Sequence, residues 1–225
     1  IPAADYHNDQ VLNDVSLLHS GSHILPHDFW DAHGKDMNAW KDDGRTFYRI
    51  TGPLTEHWYA NDCISTEDDQ FQAIVKRLEG EQAIVQVSRD YTQAKQAVWG
   101  ITARNREQNF ALNLLLDPDI DFVTLQGSAG TGKTLLTIAA GLTQVLDQNR
   151  YTEIIMTRVT IPVGEDIGFL PGSEEEKMTP WMGALMDNLE VLHSQQEGGN
   201  FGRDATGALL QSKIKIRSLN YMRGR

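Results

Sequence analysis

The sequence predicts an α/β protein with two parts, a small β-rich module over residues 1–100 and a parallel-sheet domain over residues 101–225. In the first part, short runs of β-forming residues alternate with turn signals rich in glycine, proline and aspartate. In the second part, two apolar strand-like runs flank a helical pattern, which is the order of a βαβ unit. The charge also changes along the chain, because residues 1–70 carry a net charge of −9 and residues 71–225 a net charge of −2.

Short strands are predicted in the β-rich module. Arg45–Ile50 and Gln82–Val87 are rich in β-forming residues and are bounded by turn signals. Asp68–Leu78, which lies between them, is compatible with a short helix. We therefore expect several short strands with one helical segment.

The second part is predicted to alternate strands and helices. Apolar residues share one face of a helix over Arg104–Leu116, and Asp117-Pro118 ends that helix. Phe122–Gln126 and Glu153–Thr157 are short apolar runs typical of buried strands. A helix from Lys133 to about Asp147 separates them, so we expect the two strands to be parallel and joined by a right-handed crossover.

A glycine-rich turn joins the first of these strands to the helix. It matches in full the pattern G-x-x-x-x-G-K-[ST], whose glycines allow consecutive backbone N–H groups to point inward around a phosphate. The positive N-terminal end of the following helix adds to this anion site. The sequence therefore predicts a P-loop NTPase domain that binds a nucleoside triphosphate through Gly127, Ser128, Ala129, Gly130, Thr131, Gly132, Lys133 and Thr134.

Three side chains are candidates for specific roles at this site. Lys133 would neutralise the β- and γ-phosphates and the Thr134 hydroxyl would coordinate Mg²⁺, so these two are the candidate catalytic residues and Thr134 is the candidate metal ligand. Gln108 precedes the loop on the preceding helix and could pair its amide with the N6 and N7 edge of adenine. The alternative for Gln108 is an ordinary surface glutamine.

A series of motifs follows the second predicted strand. They are an arginine at the strand end, a glycine- and proline-containing turn, an acidic stretch, a Pro-Trp segment before an aspartate, and a terminal Met-Arg-Gly-Arg. In this sequence they are Arg158, 164–172, Glu176-Lys177, Pro180-Trp181, Asp187 and 222–225. With these motifs, residues from about 100 to 225 resemble the PhoH family of P-loop ATPases.

This resemblance implies an ATPase fold, related to helicases, that uses ATP and Mg²⁺, acts in RNA metabolism and often forms ring-shaped homo-oligomers. Under it, Arg158, Arg223 and Arg225 are candidates for contact with single-stranded RNA. The alternatives are a surface ion pair for Arg158 and a solvated tail for the other two. Residues 5–100 resemble, more weakly, the connector of family members that carry an N-terminal PIN-type nuclease domain.

A P-loop hydrolase also needs a second strand that ends in a carboxylate, which anchors the Mg²⁺ shell. In the family this strand follows Met-Arg-Gly-Arg, the motif with which this sequence ends. We therefore expect the chain to be a fragment that lacks this strand and the nuclease domain. Two functions stay open, an RNA-linked ATPase and a nucleotide-binding regulatory or assembly module without turnover. A small-molecule kinase is disfavoured by Gln108 and by the turn at 164–172.

Composition restricts the class of protein further. The 225 residues are 40% apolar and 23% charged, as in an ordinary soluble globular protein. A single cysteine, Cys63, requires no oxidising compartment, and no apolar run reaches the roughly 18 to 20 residues of a membrane span, so we expect a cytoplasmic location without membrane contact. The net charge of −11 argues against coating of nucleic acid by bulk electrostatics.

Histidines are concentrated near the start of the chain. His19, His23 and His27 recur every four residues, and on a continuous helix this spacing would align three imidazoles for zinc. Gly21 and Pro26 would interrupt such a helix. A metal site formed by these three histidines is therefore disfavoured.

Overall fold

The computed structural model of the chain describes residues 19–35, 37–158 and 212–218. They belong to two compact units, of which the first ends at Ser88 and the second begins at Arg89. Each unit has a hydrophobic core of its own. The mixed α/β class predicted from the sequence is confirmed.

The first unit is a six-stranded mixed sheet with the strand order β1-β4-β5-β6-β3-β2. β1 pairs with β4 in parallel, and all other neighbours are antiparallel. A short helix, α1 (Phe29–His33), follows β1, and a 3₁₀ turn over Pro53–His57 follows β3. The strands are β1 (Ser22–Ile24), β2 (Asn38–Asp42), β3 (Arg45–Thr51), β4 (Cys63–Ser65), β5 (Gln72–Glu79) and β6 (Gln82–Val87).

Two hairpins build most of this sheet. β2 and β3 are joined by Asp43 and Gly44, both with positive φ (44° and 73°), as the favoured two-residue hairpin turns require. β5 and β6 are joined through Gly80, whose φ is 64°. The predicted strands over 45–50 and 82–87 are confirmed in these hairpins.

The helix suggested over Asp68–Leu78 is wrong, because most of that segment is strand β5. Ala73, Ile74 and Val75 are consecutive and all buried, since β5 lies between β4 and β6 inside the sheet. A strand buried on both faces shows no alternation of apolar and polar residues. Such a short apolar run does not reveal its period, and periodicity cannot separate it from a helix.

The core of the first unit lies against the sheet and includes the helix α1. Its largest fully buried side chains are Leu25, Phe29, Ile50, Ile64, Val75 and Val85. Cys63 is also buried, and burial, followed by the nearby charge of Asp62, raises the pKa of its thiol to about 12. The thiol therefore stays protonated at neutral pH.

The second unit contains two helices and a parallel strand pair. α2 (Arg106–Leu116) and α3 (Lys133–Leu142) confirm both helix predictions, and α3 continues into a wider π-type turn over Thr143–Asp147. β7 (Ile154–Arg158) pairs in parallel with β8 (Ile214–Ser218), with Ile154 opposite Ile214. The strand predicted over 153–157 is thus confirmed in position, although Ile155 is 42% exposed rather than buried.

The predicted strand over Phe122–Gln126 is wrong. This segment is not a strand, and Phe122 is 84% exposed. Val123 and Leu125 are half-buried, and Leu125 packs against the core of the unit. No strand among the described residues pairs with the segment, and an apolar run acquires strand structure only from a neighbour that satisfies its backbone groups.

The second unit begins earlier than residue 101, the start expected from the sequence. Tyr91 and Val98 belong to its core. Two asparagines of α2 also bind the backbone that leads into the unit. Asn109 Oδ1 accepts a hydrogen bond from the Tyr91 N–H (2.8 Å), and Asn113 Oδ1 accepts one from the Arg89 N–H (2.8 Å). These contacts attach residues 89–98 to α2.

None of the helices in the described part of the chain has the length and apolar composition that crossing a membrane requires.

Candidate nucleotide-binding site

The glycine-rich turn over residues 127–134 leads directly into α3. Gly132 precedes the helix with a left-handed backbone (φ 82°), and its carbonyl accepts a hydrogen bond from the Leu136 N–H (2.9 Å). Gly127 (φ 152°) and Gly130 (φ 80°) also have positive φ. L-residues with a Cβ rarely adopt these angles, so the three glycines are needed for this loop shape.

The Lys133 side chain folds back over the loop. Its ammonium group donates hydrogen bonds to the carbonyl oxygens of Gly127 (2.9 Å) and Ser128 (2.7 Å) and to Thr131 Oγ1 (3.2 Å). The Thr131 hydroxyl in turn donates to the Ser128 carbonyl (3.0 Å). The Lys133 ammonium thus lies at the loop and binds neutral oxygen atoms. An anionic phosphate can replace them, because it forms a stronger hydrogen bond with a cation.

Gln108 connects the loop to the start of α2. Its Nε2 donates to the Thr131 carbonyl (3.2 Å), and its Oε1 accepts from the Arg104 N–H (2.8 Å). Asn105 caps α2, since its Oδ1 accepts from the backbone N–H of Gln108 (2.9 Å). The Gln108 amide, which we expect to bind adenine, therefore binds the P-loop through its nitrogen and the backbone just before α2 through its oxygen.

The helix α3 provides a buried support for the loop. Leu136, Ile138 and Leu142 are buried in the core of the second unit. Gly141 allows close packing against β7, because a Cβ at this position would lie 3.0 Å from Ile154 Cδ1. The loop is thus attached to a helix whose inner face is fixed by apolar contacts.

The residues of the loop fit a nucleoside triphosphate and a divalent cation. Residues 127–131 and Thr134 are exposed, whereas Gly132 and Lys133 are half-buried. The first turn of α3 has free N–H groups and a positive end, both of which favour phosphate. Thr134 lies on that turn and carries a hydroxyl, an oxygen ligand suited to Mg²⁺.

The other predicted site residues are placed only in part. Arg158 is the last residue of β7, and its backbone pairs with Ser218. Arg223, Arg225 and the motifs over 164–187 lie outside the described residues. Two lysines at the start of β8 bind the protein itself. Lys213 Nζ donates to the Thr152 carbonyl (3.2 Å), and Lys215 forms an ion pair with Glu153.

Sequence reasoning missed the asparagines that organise this region. Asn109 is buried, and Asn113 Nδ2 donates to the carbonyls of Arg89 (2.9 Å) and Asn109 (2.8 Å). Asparagine is unfavourable inside a helix because its side chain competes for backbone hydrogen bonds. Two asparagines four residues apart in a predicted helix were therefore a usable signal of backbone contacts.

A glycine-rich loop with three positive-φ glycines, a lysine at the loop and a helix that starts at that lysine define a P-loop nucleotide-binding protein. The family profile for PhoH-like protein matches residues 100–225, more than half of the chain. The chain therefore belongs to the PhoH-like family, and as a member it is a P-loop ATP-binding protein.

Curated relatives agree with this assignment. The chain is 36% identical over 217 residues to Protein PhoH2 of Bacillus subtilis, a match that covers 90% of this chain and 48% of the relative. It is 40% identical over 129 residues to Protein PhoH2 of Mycolicibacterium smegmatis, covering 57% of this chain and 28% of the relative. A PhoH-like protein of Bacillus subtilis is 38% identical over 106 residues, covering 47% and 30%.

The chain spans about half the length, or less, of these relatives. No solved structure matches the chain significantly.

Proposed function

We propose that this chain binds ATP with Mg²⁺ at residues 127–134 and that its ATP cycle serves RNA metabolism in a helicase-like manner. The observation that carries the proposal is the Lys133 ammonium, which lies on the P-loop at the N-terminal end of α3. Membership of the PhoH-like family supports ATP as the nucleotide. A cytoplasmic location and a ring-shaped homo-oligomer accompany the proposal.

ATP binding requires Lys133 to exchange partners. Its bonds to the carbonyls of Gly127 and Ser128 would be replaced by bonds to the β- and γ-phosphates, which are charge-assisted and stronger. The exchange would involve a rotation of the lysine side chain, whose backbone is held at the start of α3. Thr134 would hold the Mg²⁺ that neutralises the triphosphate.

Adenine recognition by Gln108 would draw on an amide that already binds the protein. Its Oε1 and Nε2 each bind one backbone group, so it would read the N6 and N7 edge of adenine either with its second N–H and second lone pair or by releasing Arg104 and Thr131. Such a release would couple the presence of the base to the position of the loop. Gln108 would then be a connection between nucleotide binding and α2.

The RNA part of the proposal rests on Arg158 and on the family resemblance. Arg158 ends a parallel strand, and ligands of open α/β sheets bind at the carboxyl ends of strands. Arg223 and Arg225 would add positive charge for the phosphates of a single strand. Lys213 and Lys215 contribute less, since both already bind protein groups.

The ATP site is tested by the substitution Lys133→Ala. We expect affinity for a fluorescent ATP analogue to fall at least about a hundredfold, because several charge-assisted contacts are lost together. The matched control is Lys41→Ala, which removes an exposed lysine of β2 in the other unit and should leave the affinity unchanged. Unchanged affinity in Lys133→Ala would show that the nucleotide binds elsewhere.

The RNA-linked activity is tested by steady-state ATP hydrolysis with and without single-stranded RNA. Turnover that RNA stimulates, and that Arg158→Ala reduces without loss of ATP affinity, would support the proposal. Tight ATP binding without turnover would instead indicate a nucleotide-holding regulatory or assembly module. An RNA response that Arg158→Ala leaves unaltered would remove this arginine from the RNA site.

A further inference from the structure

Two histidines and a buried aspartate meet at the edge of the sheet in the first unit. Asp62 directly precedes β4. His19 lies shortly before β1, and His23 lies within β1. His19 Nε2 lies 2.8 Å from Asp62 Oδ1, and His23 Nε2 lies 2.7 Å from Asp62 Oδ2. Asp62 Oδ2 also accepts a hydrogen bond from the Tyr59 N–H (2.8 Å).

The burial of Asp62 makes this cluster unusual. Its side chain is only 5% exposed, and a buried carboxylate is costly unless its charge is compensated. Within the described residues, no lysine or arginine forms an ion pair with it. The compensating groups are the two imidazole rings, whose centroids lie 5.8 Å apart, and one backbone N–H.

We propose that His19 Nε2, His23 Nε2 and a carboxylate oxygen of Asp62 bind a divalent transition-metal ion, with Zn²⁺ as the best fit. One ligand atom from each residue lies within 4.8 Å of the other two. Two imidazole nitrogens and one carboxylate oxygen suit Zn²⁺, whereas Mg²⁺ and Ca²⁺ prefer oxygen ligands alone. A water molecule completes four-coordination on the exposed side of His19.

The side chains of this cluster must rearrange to admit the ion. Tetrahedral zinc bonds of about 2.0–2.1 Å separate two ligand atoms by about 3.3 Å, which is wider than the present hydrogen-bond distances. The two imidazole nitrogens contact different oxygens of Asp62 and lie within 4.8 Å of each other, so they must also converge on one side of the carboxylate. His19 is 45% exposed, so its ring has room to turn toward the ion. The ion takes the place of the hydrogen that lies between each imidazole Nε2 and the carboxylate, so each ring that binds the metal through Nε2 carries its proton on Nδ1.

The metal would fasten the first strand to the sheet. Among the described strands, β1 is an edge strand of three residues that pairs with β4 alone, through contacts such as the Cys63 N–H to the Gly21 carbonyl (2.8 Å). An edge strand this short contributes few hydrogen bonds. An ion that joins His19 and His23 to Asp62 adds bonds between the same two strands, and its binding free energy becomes folding free energy.

The site is tested by adding Zn²⁺ alone to the whole chain after treatment with a chelator. Calorimetry should give one zinc per chain with a Kd of about 1 μM or tighter, together with a higher Tm. Co²⁺ in place of Zn²⁺ should produce the visible absorption of a four-coordinate ion. The absence of stoichiometric zinc binding, or a preference for Mg²⁺ over Zn²⁺, would overturn the proposal.

Variants assign the zinc to these residues. His19→Ala should lower zinc affinity at least about tenfold without unfolding the chain, because the side chain is half exposed. His27→Ala is the matched control, since His27 is exposed and outside the cluster, and it should bind zinc like the parent. Equal affinity in His19→Ala and His27→Ala would contradict the site.

Asp62→Asn should also weaken zinc binding. Because this residue is buried, its fold is checked by circular dichroism, and His19→Ala carries the test if Asp62→Asn does not fold. Lys133→Ala should leave the zinc affinity unchanged, which separates this site from the P-loop.

Discussion

The two units of this chain are built by different kinds of strand pairing. In the first unit, β2 with β3 and β5 with β6 are antiparallel neighbours joined by two-residue turns. In the second unit, β7 pairs in parallel with β8, and the opposed residues Ile154 and Ile214 lie 60 positions apart. The two hairpins of the first sheet are therefore specified by local sequence, although its β1–β4 and β3–β6 pairs join distant segments. The second unit depends on distant segments alone and on a loop whose shape is set by glycine.

Replacing one glycine in each unit tests this comparison most directly, and we expect it to give the largest effect on stability. Gly132 in the P-loop and Gly80 in the β5–β6 hairpin are both left-handed, with φ of 82° and 64°. Alanine at either position should cost roughly 1–2 kcal/mol of unfolding free energy, measured by urea denaturation. A Cβ added at Gly80 would have no heavy atom within 4 Å beyond its chain neighbours. A Cβ added at Gly132 would lie 3.3 Å from Gln108 Nε2.

The two variants should therefore differ in function. Gly132→Ala displaces the Gln108 amide that binds the Thr131 carbonyl, so it should also weaken the binding of a fluorescent ATP analogue. Gly80→Ala should leave that binding intact. Full nucleotide affinity in Gly132→Ala, or an equal loss in Gly80→Ala, would show that the loop does not depend on this contact.

The same contrast explains which parts of the fold could be predicted from the sequence. The strands over 45–50 and 82–87 and the helix ending at Leu116 follow from local signals, namely β-forming runs, hairpin turns and Asp117-Pro118. The strand over 122–126 was wrong because strand structure needs a partner that local sequence does not identify. The helix suggested over 68–78 was wrong because a strand buried on both faces lacks alternation.

The candidate site shows the same division. The P-loop was predictable because a contiguous motif specifies its glycines and Lys133. The bond from Gln108 to the Thr131 carbonyl was not, since it joins residues 23 positions apart. The His19–His23–Asp62 cluster was missed for the same reason, because spacing along the chain drew attention to a helix with His27 rather than to Asp62.

Helix caps allow a second comparison, with a smaller expected effect. Asn105 caps α2 through the Gln108 N–H, whereas Asp28, at the equivalent position before α1, makes no side-chain capping bond. Asn105→Ala should cost about 1 kcal/mol of unfolding free energy, and Asp28→Ala should cost close to nothing. Denaturant midpoints measured side by side check this. Equal losses would mean that the Asn105 cap carries no particular stability.

Acid titration gives the smallest effect and compares one loop of each unit. A hydrogen bond from the Thr66 hydroxyl (2.6 Å) lowers the pKa of Asp68 below its ordinary 3.8 in the first unit. A bond from the Thr92 hydroxyl (2.5 Å) does the same to the pKa of Asp90 in the second, partly opposed by desolvation.

Because both carboxylates bind protons less readily when folded, the stability they contribute is present above pH 3.8 and is lost as the pH falls through the lowered folded pKa. NMR titration of the side-chain carboxyl carbons should place both midpoints below 3.8. Thr66→Val should raise only the pKa of Asp68, and Thr92→Val only that of Asp90. A midpoint that does not move when its own threonine is replaced would assign the lowered pKa to the other donors instead. These are the Gln70 N–H for Asp68, and the Thr92 N–H and the Gln93 side-chain amide for Asp90.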